Sequence, residues 1–122
     1  MSASQRNKGA SAEREVLRLL AGLLGVQSLE RNLQQSRNGG ADCLAVRGFA
    51  IEVKRQEALS RPAWWRQACS QAEALGLEPM LLYRRSREPW TAWFYAAGKP
   101  REGTLEEAAG VIRERWMQPV CT

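Results

Sequence analysis

Asp42, Glu52 and Lys54 all fall within GGADCLAVRGFAIEVK, residues 39–54. Two carboxylates and an ammonium are the groups that metal-assisted hydrolysis of a phosphodiester needs. The carboxylates are hard oxygen ligands for a divalent cation, and the lysine can orient or deprotonate an attacking water or offset charge on the phosphate. The carbonyl of Val53 would add another oxygen. Taken alone, Glu-x-Lys is a weak signal, because alternating charges commonly form the solvated face of a strand. The chain has no histidine, which removes every Ser/His and Cys/His arrangement and the commonest transition-metal ligand. Its three cysteines, Cys43, Cys69 and Cys121, are odd in number and lack CxxC spacing. They argue against a disulfide framework or a zinc cluster and read as reduced fillers.

Whether the three charged groups meet depends on the register of a hairpin formed by the strand-like runs ADCLAV and FAIEVK. A two-residue loop, Arg47 and Gly48, would pair Asp42 with Val53 and put it on the face opposite Glu52. A three-residue loop, Val46 to Gly48, pairs Ala45 with Phe49 and sets Asp42 across from Glu52. The longer loop calls for a left-handed residue in its last position, which Gly48 supplies, whereas a type I′ loop would ask for Asn or Asp where Arg47 stands. Turn chemistry therefore favours the register that assembles a site, with Phe49, Ile51 and Val53 turned into the core.

The surrounding elements follow from periodicity. Residues 11–24 form an amphipathic helix on Ala12, Val16, Leu19, Leu20 and Leu23. At roughly 100° per residue, Glu13 falls within about 40° of the centre of that apolar face. It is either a first-turn glutamate favoured by the helix dipole or a member of the site. VQSLERNL alternates enough for a strand, and QQSRNGG reads as a flexible loop. Ser60 and Pro62 open a second helix that ends at Gly76, PMLLYR is a buried strand joined to FAIEVK by a crossover, and WTAWFY is a further strand. A capping box of Thr104 and Glu107 starts a last helix over about 104–116.

The 122 residues fit one domain, with 44% hydrophobic and 25% charged residues and no apolar run long enough to cross a bilayer. No secretory signal is read at the N-terminus, and a cytoplasmic location without membrane association is expected. A net charge of +5, with arginine supplying 15 of the 18 basic residues, favours an anionic partner, nucleic acid first. Arg6, Lys8, Arg37, Gly39, Gly40, Arg55, Arg61 and Arg66 could line a phosphate track. The glycines of the loop before Asp42 allow close backbone approach. Arg84, Arg85 and Arg87 read equally as a solvated turn, and the five tryptophans as core or dimer anchors.

With NKGASAERE, RNGGAD, IEVK and the Gln67 helix followed by PMLLY in view, the chain resembles the PD-(D/E)xK nuclease superfamily. Within it, the resemblance is to archaeal-type Holliday junction resolvases and their phage relatives, over about residues 6–95. It implies a restriction-endonuclease-like α/β fold, an αβββαβ core whose mixed central sheet is flanked by helices, with the C-terminal helix added. It also implies metal-site roles for Glu13, Asp42 and Glu52, a catalytic role for Lys54 and a supporting role for Gln67. Mg²⁺ is the expected ion, with Mn²⁺ substituting. A homodimer that cuts branched DNA is implied too. The proline of the motif is replaced by Ala41, and the hairpin is shorter than in the resolvases. Other readings are a nuclease of the same fold acting on duplex or single-stranded DNA, and a non-catalytic DNA-binding protein.

Overall fold

A computed structural model describes residues 3–33 and 40–117, with side chains from residue 9 onward. The elements run α1 (Ala3–Leu24), β1 (Phe49–Arg55), α2 (Arg61–Leu75), β2 (Glu78–Arg84), β3 (Thr91–Ala96), β4 (Lys99–Thr104) and α3 (Leu105–Met117). The four strands form one mixed sheet in sequence order, β1 and β2 parallel and the later pairs antiparallel. Among the described residues no helix is long and apolar enough to cross a membrane.

Alternation along β1 and β2 separates two buried layers. Phe49, Ile51, Val53, Met80 and Leu82 join Ala12, Val16 and Leu20 of α1 and Ala108 and Ile112 of α3 in the larger core. On the other face, Leu81 and Tyr83 pack with Trp64, Trp65 and Ala68 of α2, and Ala50 packs with Ala41 and Ala72. Glu52 and Lys54 belong to this α2 face, because they alternate with the core residues of β1. The restriction-endonuclease-like arrangement of helices about a mixed sheet is therefore present, with the C-terminal helix expected from Thr104. That capping box is intact: the Glu107 amide donates to Thr104 Oγ1 at 3.0 Å and the Thr104 amide to Glu107 Oε1 at 3.1 Å.

Two helices stop where glycine permits a left-handed residue. Gly25 and Gly76 have φ of 72° and 68°. In each case the next amide reaches back to the last turn, Val26 to the Ala21 carbonyl and Leu77 to the Ala72 carbonyl. α1 starts earlier than the periodicity of residues 11–24 suggests, and Leu19, placed in its apolar stripe, is exposed. Ser60 occupies the N-cap position of α2 without a side-chain cap, and Pro62 lies in the first turn.

Corrections concern the strands. VQSLERNL is not a strand; residues 26–33 form an irregular segment laid against residues 41–43. ADCLAV makes only a single antiparallel bridge, Cys43 with Ile51. β4 has no counterpart in the sequence reading, since KPREGT is almost wholly exposed and carries no apolar alternation. It is specified by its turn: Ala97 and Gly98, with φ of 53° and 77°, are two consecutive left-handed residues between paired Ala96 and Lys99, the pattern of a type I′ hairpin.

Candidate active site

The bridge between Cys43 and Ile51 keeps the register that a three-residue loop would give, but the expected loop and its Ala45–Phe49 pair are not formed: Val46 and Phe49 close a two-residue loop of Arg47 and Gly48. The Phe49 amide donates to the Val46 carbonyl at 3.0 Å, closing a four-residue turn with Gly48 third at φ 88°, the position where a type II turn demands a positive φ. Leu44 and Ala45 then absorb the extra residue between that turn and the bridge. Beyond it the ladder is replaced by a side chain. The amides of Asp42 and Cys43 both donate to the Ile51 carbonyl, at 3.0 and 3.1 Å, as in a β-bulge. The next donor, the Val53 amide, is taken by Asp42 Oδ2 at 2.7 Å rather than by the Ala41 carbonyl, which accepts from Asn32 Nδ2 at 2.9 Å. Residue 42 thus turns its carboxylate back onto β1.

This interruption assembles the site. Asp42 and Glu52 are 7% and 5% exposed, the two buried charged residues of the described chain. The Lys54 Nζ lies 3.7 Å from Glu52 Oε1, while Glu52 Oε2 is enclosed with no hydrogen-bond partner. Burial, then the charge and hydrogen bonding of Asp42, push the Glu52 carboxyl up to about 8 against the opposing pull of Lys54. A residue in a strand directs its N–H and C=O to the same side, so the Val53 carbonyl shares the open edge of β1 with the amide that Asp42 binds.

Glu13 reaches the cluster from α1. Its Oε2 accepts from Arg31 Nε at 2.6 Å in a part-buried ion pair. Burial raises its carboxyl, Arg31 lowers it, and the neighbouring Asp42 raises it again. Among the described residues no three acidic or thiol groups stand close enough to hold an ion together. The tight core is therefore Asp42 and Glu52 with Lys54, and Glu13 is held beside it by arginine.

Other expected positions lie elsewhere. Gln67 is exposed on α2; one turn later Gln71 is half-buried, its Oε1 enclosed and without a partner. Arg55 Nη2 donates to Ser86 Oγ at 3.3 Å, Arg61 pairs with Glu102 at 3.6 Å, and Arg66 is exposed. Gly40, with φ 84°, leads into Asp42. Arg37 and Gly39, and the side chains of Arg6 and Lys8, lie outside the described residues. Sequence reasoning missed Arg31 and Asn32. Their partners are distant in the chain, and the only local signal was a charged pair, Glu30 and Arg31, inside a supposed strand.

Over 84% of this chain and 96% of its own, a solved structure of Archaeoglobus fulgidus Hjc, a Holliday junction resolvase from an archaeal hyperthermophile, superposes with a TM-score of 0.53 at 21% identity. At that identity the likeness concerns the fold. No curated protein matches the chain. Residues 4–99 match the family described as "Phage putative PDDEXK endonuclease". The protein belongs to this phage PD-(D/E)xK family and is a nuclease of the endonuclease type.

Proposed function

We propose that the protein is a Mg²⁺-dependent endonuclease selective for branched DNA, working in the cytoplasm as a homodimer. One observation carries the metal dependence. Asp42 is folded back onto the Val53 amide beside Glu52, whose second oxygen is buried and partnerless. A buried carboxylate oxygen left in this state is costly unless a cation satisfies it. Asp42, Glu52 and the Val53 carbonyl would hold such an ion, a hard oxygen set that fits Mg²⁺ and accepts Mn²⁺. A bound ion supplies Lewis-acid stabilisation of the phosphate and makes water a better nucleophile. Lys54 orients that water and offsets charge at the scissile phosphate. Glu13 supports the cluster from α1.

Branch selectivity is favoured by the fold shared with the Archaeoglobus resolvase. The test is to incubate the protein with a four-way junction and a sequence-matched duplex, with and without Mg²⁺. Preferential cutting of the junction is expected, and equal cutting of both would contradict branch selectivity. Binding without cutting in either Mg²⁺ or Mn²⁺ would contradict the metal-dependent reading.

A further inference from the structure

Behind the Glu13–Arg31 ion pair, α1 and residues 26–33 enclose an open cleft of about 490 Å³. Its rim carries Arg14, Arg18 and Arg31, with Glu30 as its one acid, and its floor includes Ala21, Val26 and Leu29. Arg14 and Arg18 are exposed and make no ion pair with a carboxylate among the described residues. Among the other described arginines, Arg31, Arg61, Arg84, Arg85, Arg101 and Arg115 are each paired with a glutamate, whereas Arg47, Arg55, Arg66, Arg87 and Arg113 are not. Standing four residues apart, Arg14 and Arg18 project from one helix face about 6 Å from each other, a spacing suited to neighbouring phosphates of a strand. Arg31 lines the cleft and its Nε donates to Glu13, which sets the cleft next to the Glu13–Arg31 ion pair.

We infer that this cleft is a single-strand groove: Arg14 and Arg18 take successive phosphates of DNA next to the cut, and the apolar floor takes the face of an unpaired base. The inference rests on the proposed nuclease reading and adds the path by which substrate enters. A purely ionic track would need no apolar floor, whereas a nucleotide presents both an anionic backbone and an apolar base face. Arginine planes stack on unpaired bases as well as neutralising phosphate. Val26, 37% exposed on the floor, is available to such a base.

The test is binding of a labelled single-stranded oligodeoxynucleotide over a range of salt concentrations in EDTA, so that it reads independently of cleavage. Replacing Arg14 and Arg18 together by Ala is expected to weaken binding and to reduce the log–log salt slope by about 1.4, the value for two phosphates on a single strand. Replacing Arg87 and Lys99 by Gln removes as much charge from other exposed positions and is expected to leave the slope at its wild-type value. An abasic oligonucleotide is expected to bind more weakly than the base-bearing one, with Val26→Asp abolishing the difference. An unchanged slope in the Arg14/Arg18 variant, or equal affinity for abasic and base-bearing strands, would overturn the groove. Failure of the wild type to cut DNA would overturn the nuclease reading and leave this binding result interpretable.

Discussion

Glu52 and Glu102 sit at opposite ends of one row across the sheet, Glu52, Leu81, Trp93 and Glu102, each paired with the next. Their side chains share a face, yet their surroundings are opposite. Glu102 accepts hydrogen bonds from the Tyr83 hydroxyl and Trp93 Nε1 and pairs with Arg61. The Tyr83 and Trp93 bonds hold its carboxyl below the ordinary range despite some burial. Glu52 is more deeply enclosed, faces Asp42 and leaves one oxygen unsatisfied. One glutamate ties strand to strand and helix. The other opposes folding of the metal-free chain, as expected where a protein reserves charge for a ligand.

The contrast breaks most visibly in activity. Glu52→Gln is expected to lower the single-turnover cleavage rate by about 10³-fold or more, the scale of losing a principal electrostatic contributor to a reacting centre. Glu102→Gln should cut at close to the wild-type rate. Equal losses in both would erase the distinction. Lys54→Met removes the ammonium without touching a carboxylate, and a loss of about 10²-fold is expected in the same assay.

Stability should move the other way. A carboxyl held near 8 against an ordinary 4.5 contributes stability at low pH that is lost as pH rises through that interval. In EDTA at neutral pH, Glu52→Gln is therefore expected to raise Tm by several degrees, and the gap to wild type to close towards pH 4.5. Glu102→Gln is expected to lower Tm by about 4 °C, since a half-exposed cluster contributes only about 1 kcal/mol. Scanning calorimetry across pH checks both signs. The smallest effect is at the turn. Gly48→Ala meets no neighbour but must hold φ near 88°, at a cost of about 1 kcal/mol seen as a lower Tm.

These regions also differ in how far they can be read from sequence. The helices announce themselves through apolar spacing and through Gly25, Gly76 and the Thr104–Glu107 box, because caps and amphipathic faces are local. The register that brings Asp42 near Glu52 agrees with the reading from Gly48, but not for the reason read there: Gly48 stands in a two-residue turn, and Leu44 and Ala45 supply the offset. What replaced the expected Asp42–Glu52 rung, a carboxylate capturing the Val53 amide, depends on Asn32 taking the Ala41 carbonyl. Arg31 meets Glu13 across 18 positions, and no periodicity encodes such a contact. β4 escaped notice because an exposed edge strand needs neither alternation nor hydrophobicity, and its Pro100 and charges suit an edge.

The central claim is that Asp42 and Glu52 form a divalent-metal centre that cleaves DNA. It is tested most directly by single-turnover cleavage of a four-way junction by wild type and Asp42→Asn, each in Mg²⁺ and in EDTA. Cutting by the wild type in Mg²⁺ alone, reduced about 10³-fold or more in the variant, is the expected result. Cleavage that persists in EDTA, or an Asp42→Asn protein that cuts at the wild-type rate, would contradict it.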